Sequence, residues 1–255
     1  MLNKFKTLMI LLVSLPIVYG CDDEDSNPIL RNLQENQAKW ESLNTSVYEY
    51  QYRKNCFCLD SVTAPRNVLV TDNQVVSLAN KITTEALRLD AYPTQTVDGL
   101  FDLIRLEESR AETLLVEYDD ETGYPTMISV DGNLQIADDE YTINNSLLQL
   151  SQNTACTEEA VPGLQINVID QSTQSPINCG LIVTAEEDEF SETVATDSTS
   201  CDNTTAVNMV YERQGFYALT ISKQGYQDTV IDEVGVADGL CHVFTRDLTV
   251  AMIAE

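Results

Sequence analysis

Cysteine, histidine and clustered carboxylates are the residues of this chain with chemistry to offer. The single histidine, His242, rules out any site built on several imidazoles and leaves one candidate base. It follows Cys241 directly, at the expected start of a strand. A Ser-His-Asp or Cys-His device needs an exposed nucleophile, and no Gly-x-Ser-x-Gly element offers one. His242 therefore reads as a structural residue, and no residue is assigned a catalytic role.

The acidic clusters Asp119-Asp-Glu121, Asp131-Gly-Asn133 and Asp138-Asp-Glu140 carry oxygens that suit Ca²⁺. None has ligands at the required alternation with a closing Glu twelve residues in, so turns and solvated edges account for them and no metal site is assigned. Paired carboxylates also serve glycoside hydrolysis, but one Trp leaves little surface for stacking a sugar. With 14 basic and 41 acidic residues the formal net charge is -27, which disfavours nucleic acid. A basic protein or a divalent cation fits this charge better.

Seven cysteines are present. Cys21 ends the sequence Ile17-Val18-Tyr19-Gly20-Cys21, which follows Lys4, Lys6 and the eleven apolar-rich residues 8–18. A basic start and an apolar run too short to span a bilayer make residues 1–20 a signal peptide. A small residue directly before cysteine resembles the lipobox of bacterial lipoproteins, which implies cleavage before Cys21 and lipid attachment on it. Acyl chains stabilise membrane binding by about 0.8 kcal/mol per buried methylene, and two or three chains on one cysteine give a firm anchor. The expected location is the cell envelope, outside the cytoplasm. Removing residues 1–20 leaves 12 basic and 41 acidic residues.

The other six cysteines, Cys56, Cys58, Cys156, Cys179, Cys201 and Cys241, are an even number, which in an oxidising compartment reads as disulfides. Zinc is the competing use, but one His and no repeated Cys-x-x-Cys argue against it, and no cofactor is expected. In a strand Cys56 and Cys58 share a face with α-carbons about 6.6 Å apart, near the limit for bridging. A bridge there needs a bend in the chain. Arg53 and Lys54 are near, but no group visibly activates a thiol, so a structural clip is expected rather than a redox site.

The elements that place these residues fall into two sets. Residues 21–28 are an acidic tether. Ile29, Leu33, Trp40 and Leu43 recur at helical spacing, predicting a helix to about Leu43. Val47 to Tyr52 alternates, with Tyr48, Tyr50 and Tyr52 on one face. Arg66–Thr71 and Gln74–Leu78 form a hairpin across Asp72-Asn73, and Thr96 caps a second helix whose stripe is Val97, Leu100, Phe101 and Ile104. Strands over Thr113–Tyr118, Thr126–Val130 and Glu140 to about Leu148 complete an α+β domain, residues 29–150, with two helices on an antiparallel sheet.

Residues 151–162 have linker composition, and residues 163–255 read as strands alone: Leu164–Ile169, Leu181–Thr184, Val207–Tyr211, Phe216–Ile221 and His242–Val250. Such a set makes a β-sandwich, with the acidic stretch Glu186–Asn203 as a long loop or ragged edge. Cys156 precedes the first of these strands and Cys241 the last. If those two run side by side in parallel, both cysteines lie at one end. The expected pairs are therefore Cys156 with Cys241 and, by remainder, Cys179 with Cys201.

Two further resemblances are carried by residues in order. Trp40, Tyr48-Glu-Tyr50, Cys56-Phe-Cys58, Val97 with Leu100-Phe101, Tyr118-Asp119, Gly123-Tyr-Pro125 and Asp138-Asp-Glu140 make residues from about 36 to 148 resemble an uncharacterised domain-of-unknown-function family found mainly in bacterial lipoproteins. Gly163 to Asp170, Glu212-Arg-Gln-Gly-Phe-Tyr217, Gly225-Tyr226, Cys241-His-Val243 and Leu248 make residues 161–251 resemble the carboxypeptidase-regulatory or transthyretin-like sandwich modules. The first resemblance implies an envelope location, the second an immunoglobulin-like binding or structural appendage, and neither implies a reaction. The expectation is a lipid-anchored binding or structural protein; the alternative is a secreted hydrolase using carboxylates, with or without a metal. The anchor is tested directly: Cys21→Ser abolishes labelling by a fatty-acid probe and leaves unprocessed precursor. Unchanged labelling, or a mature N-terminus elsewhere, refutes the lipoprotein reading.

Overall fold

The computed structural model describes residues 27–136 and 138–255. The expected signal peptide, Cys21 and most of the tether lie outside the described residues. Helix α1 (Pro28–Ser42) opens the fold. Asn27 caps it by accepting the N–H groups of Ile29 and Leu30, and Pro28 fills the first position, where no N–H is needed. Strands β1 (Val47–Cys56), β2 (Arg66–Thr71), β3 (Gln74–Asn80), β4 (Thr113–Tyr118), β5 (Pro125–Asp131) and β6 (Tyr141–Leu150) make one antiparallel sheet in the order β3-β2-β1-β6-β5-β4. Asp72 and Asn73 both adopt positive φ, the two-residue turn that suits the twist of a hairpin.

Three helices form where two were expected. Helix α2 (Asp60–Thr63) is a single turn, and its signal is not local. It is held by Arg66, whose fully buried guanidinium donates to the carbonyls of Ser61, Val62 and Ala64 and to Thr94 Oγ1. The same group stands 5.3 Å from the Tyr52 ring and 5.4 Å from the Tyr92 ring, so its charge is met by carbonyl dipoles and aromatic faces. Helix α3 (Val97–Glu108) is capped by Thr96, which accepts the Gly99 N–H, as expected.

Tyr48, Tyr50 and Tyr52 share the face of the sheet on which α1 and α3 pack. Tyr48 accepts the Val97 N–H at 2.9 Å, Tyr50 donates to the Gln95 carbonyl, and the Trp40 indole donates to Asp98 at 3.0 Å. These buried polar tips thereby fix the entry of α3 over the centre of the sheet. The turn before β5 has one further requirement. Gly123 lies at φ 77°, and a Cβ there would stand 2.2 Å from the Asn36 carbonyl of α1. Only glycine lets that turn and that helix touch.

The C-terminal strands are β7 (Pro162–Asp170), β8 (Leu181–Glu187), β9 (Phe190–Ala195), β10 (Val207–Tyr211), β11 (Gly215–Lys223), β12 (Thr229–Val236) and β13 (Arg246–Met252). They form a three-stranded sheet, β10-β7-β13, and a four-stranded sheet, β12-β11-β8-β9. Side chains of both sheets contribute to one apolar core, the arrangement of a sandwich. The stretch expected to be a long loop or a ragged edge contains the edge strand β9, which pairs with β8 from Ile182↔Ala195 to Glu187↔Phe190. The strand β12 was not expected at all, and His242 lies in the loop before β13 rather than at the start of a strand.

The two sets of elements meet on the second face of the six-stranded sheet. There the segment 237–245, between β12 and β13, lies over β1, β2 and β3. The Asp238 N–H donates to Ser77 Oγ at 2.9 Å, the Leu240 N–H to Glu49 at 2.8 Å, and Thr84 Oγ1 to the Thr245 carbonyl at 2.8 Å. Leu69, Ser77 and Ala79 are buried beneath it. An ion pair between Arg88 and Glu233 and a bridge between Glu85 and Val236 extend the contact.

Three disulfides are formed, in the domain-wise pairing that the sequence predicts: Cys56–Cys58, Cys156–Cys241 and Cys179–Cys201. The chain bends at Phe57, just past β1, and brings the first pair to 5.2 Å between α-carbons. The β7–β13 pair is parallel, and that puts Cys156 and Cys241 at one end. On the loop-entropy model, removal costs about 4.6 kcal/mol for Cys156–Cys241, about 3.4 for Cys179–Cys201 and about 1.6 for Cys56–Cys58. Denaturant unfolding of the three Cys→Ser double variants checks that ranking; equal losses refute it.

Candidate functional site

The Cys156–Cys241 bridge sets two polar residues side by side, one position further along each strand of chain. Thr157 Oγ1 lies 2.8 Å from His242 Nε2, and His242 Nδ1 lies 2.8 Å from Glu212 Oε1. A carboxylate only accepts, so Nδ1 carries a proton and donates to Glu212, while Nε2 shares a hydrogen bond with the Thr157 hydroxyl. The order hydroxyl–imidazole–carboxylate is that of a hydrolytic triad. Its surroundings are different. Glu212 also accepts the Val161 N–H at 2.7 Å, so the carboxylate ties the segment before β7 to the turn between β10 and β11. The array works as a clasp that fastens the linker to the C-terminal strands.

The pKa of Glu212 is lowered, chiefly by the Val161 N–H; burial opposes this as the next-largest effect, and His242 and the Val243 N–H lower it further. A carboxylate whose folded pKa lies below its unfolded value stabilises the fold fully above the unfolded value. That contribution is lost as pH falls through the folded one.

The acidic clusters resolve into turns. Asp119 accepts the N–H groups of Glu121 and Thr122 and the Thr122 hydroxyl, and Glu140 accepts the Asp138 N–H. Asn133 accepts the Gln135 N–H. Asp170, Asp197 and Asp202 repeat the pattern on a Ser or Thr two residues ahead, and Asp170 also accepts from Tyr226 at 2.9 Å. Among the described residues no three His, Cys, Asp or Glu side chains gather as metal ligands. The carboxylates of these Asp residues are held below the usual range by those donors: for Asp119 the Thr122 hydroxyl first, for Asp170 the Ser172 hydroxyl first.

The remaining feature is the half of the second sheet face that the segment 237–245 leaves uncovered. Strand register sets Thr113, Leu115 and Glu117 of β4 beside Asp131, Ser129 and Met127 of β5, then Thr142, Asn144 and Ser146 of β6, then Asn55, Arg53 and Gln51 of β1. It is a mainly polar face, with Leu115 the one large exposed apolar residue of β4. Where β1 and β6 approach the turn after β3, the face dips into an open hollow of about 320 Å³ lined by Gln51, Arg53, Lys81, Ile82, Asn144 and Ser146. No carboxylate lines it.

The six-stranded sheet falls within a match to a known family model. Residues 32–150 match a family of unknown function, DUF6174. The DUF6174 match ends at Leu150, the last residue of β6, and so takes in the whole six-stranded sheet. No curated protein and no solved structure matches the chain.

Of the residues singled out from sequence, the structure joins the six cysteines and places His242 in an array with two residues that were not foreseen. Thr157 was reachable: a Cys156–Cys241 pairing implies that the next residues on each side are neighbours. Glu212 and the Arg53–Lys81 hollow had no local signal. Glu212→Gln is expected to lower the melting temperature at pH 7, with the difference closing as pH falls below about 4. A loss that persists unchanged in acid would show that the carboxylate's charge is not what ties the segment down.

Proposed function

We propose that this is a lipid-anchored protein of the cell envelope, held to the membrane through Cys21, that binds a partner and catalyses no reaction. In this reading residues 29–150 are an α+β binding domain, residues 151–162 a linker, and residues 163–255 an immunoglobulin-like sandwich of the carboxypeptidase-regulatory or transthyretin type. The observation that carries it is the half-covered sheet face. The sandwich buries one half and thereby stiffens the sheet, and the other half stays free, broad and polar. A rigid sheet with an open face and fixed side-chain spacing is a ready docking surface. Acidic charge over the rest of the surface suits a basic protein or a divalent cation and disfavours nucleic acid.

The Thr157–His242–Glu212 order favours a second reading, a hydrolase. The residue types weigh against it. Threonine carries a methyl group on the carbon that bears its hydroxyl, which crowds the attacking oxygen, and Glu212 is already committed to the Val161 N–H. The purified protein without residues 1–20 is expected to retain partners from an envelope extract at low salt, to lose the charge-driven ones at high salt, and to turn over nothing in a panel of esters, peptides, glycosides and phosphates. Thr142→Arg, at the middle of the open face, removes the retained partners. Turnover abolished by His242→Ala overturns the binding reading in favour of the hydrolase.

A further inference from the structure

Among the described residues the cations are few and most are occupied. Arg88, Arg105, Arg110, Arg213 and Arg246 sit in ion pairs, and Arg66 is buried among carbonyls. Lys39 and Lys223 donate to backbone carbonyls, and Lys54 stands 3.9 Å over the Tyr141 ring. Among the described residues this leaves Arg31, Arg53 and Lys81 with no ion pair or side-chain hydrogen bond. Two of those three line the same hollow on the open sheet face. In a chain with 41 acidic residues that hollow has no acidic wall.

We infer that the hollow is a binding site for a small hydroxylated anion, a sugar carrying a carboxylate or a phosphate. The inference rests on the reading of this face as a binding surface and names what one part of it takes. The Arg53 guanidinium and the Lys81 ammonium supply charge-assisted donors for the anionic group. Gln51, Asn144 and Ser146 supply amide and hydroxyl groups that both donate and accept, as sugar hydroxyls require. Ile82, 79% exposed, offers an apolar ledge for the C–H face of a ring. A volume of about 320 Å³ is at the small end of ligand pockets, suited to one sugar unit.

The wall is built rather than incidental. Arg53 stands directly opposite Asn144, and Gln51 opposite Ser146, in the β1–β6 register. The turn bearing Lys81 is fixed on three sides. Its N–H donates to the Pro65 carbonyl at 3.0 Å, and Asn80 accepts the N–H groups of Ile82 and Thr83. Arg246 of β13 donates to the Thr83 carbonyl at 2.9 Å. A backbone fixed in this way lets the two cations of the lining hold an anion without a large ordering cost.

The test is calorimetric titration of the purified protein without residues 1–20, at low salt, with glucuronate, glucose 6-phosphate, methyl glucoside and inorganic phosphate. The expected result is binding of at least one of the two anionic sugars, weakened about tenfold or more by Arg53→Gln and by Lys81→Gln, both exposed positions. Glucuronate and glucose 6-phosphate then tell a carboxylate ligand from a phosphate one. Equal binding of methyl glucoside, equal binding of bare phosphate, or no binding of either anionic sugar overturns the inference. So does binding that both variants leave unchanged. The envelope partners lost by Thr142→Arg are a separate measurement, so a failed titration with partner retention intact removes the anion site and keeps the docking face.

Discussion

The segment 237–245 is the part of the chain on which the rest depends, because a six-stranded sheet must cover or solvate both of its faces. Helices α1 and α3 cover one. The other receives this short loop, whose N–H groups reach Ser77 and Glu49. Glu49 is a costly acceptor: burial raises its pKa, the Leu240 N–H lowers it, and Asp238 raises it again. A buried carboxylate is kept only where backbone donors need it, and here the donor belongs to the other half of the molecule. Gly239 makes the approach close, since a Cβ there would stand 2.8 Å from the His242 carbonyl and 3.1 Å from Glu49.

That segment is held from behind as firmly as from the front. Cys241 is bonded to Cys156, and His242 to Glu212 and Thr157. Beyond it, Thr245 and Arg246 grip the turn at residues 83–84 that follows β3. The clasp, the covered half-face and the hollow beside Lys81 are therefore one connected construction. A change that loosens the segment exposes Leu69 and Ala79 and releases the turn that shapes the hollow.

Much of this was legible in the residues. Asn27-Pro28, Thr96 and Asp72-Asn73 carry their own local chemistry, and the tyrosine alternation of β1 names the buried face without help from anything distant. What escaped notice depended on partners far along the chain. Helix α2 is short and is held by Arg66, which reads as an ordinary strand residue. The strand β9, Phe190-Ser-Glu-Thr-Val-Ala195, lies at the edge of its sheet, so Ser191, Glu192 and Thr193 mask the alternation. In β12 the run is broken by Asp232 and by Glu233, which takes φ 61° where the pairing register with β11 shifts. The acidic clusters were legible as turns, though the Thr122 hydroxyl that satisfies Asp119 was not. For the site, one cysteine pairing pointed to the neighbourhood of Thr157 and His242, while Glu212, 30 residues from His242, had nothing to mark it.

The parallel pairing of β7 with β13 also has a consequence in time. It joins Leu164 to Arg246 and Asp170 to Met252, so the first strand of the sandwich waits for the last. A chain made from its N-terminus completes β6 with about a hundred residues still to come, and until they arrive Leu69, Ser77 and Ala79 lie bare. Non-local pairings of this kind close slowly, because the intervening loop must first lose its freedom. The newborn N-terminal sheet is thus an aggregation hazard for as long as its own C-terminus is unfinished, and folding helpers that shield exposed sheet faces would act on it in that interval.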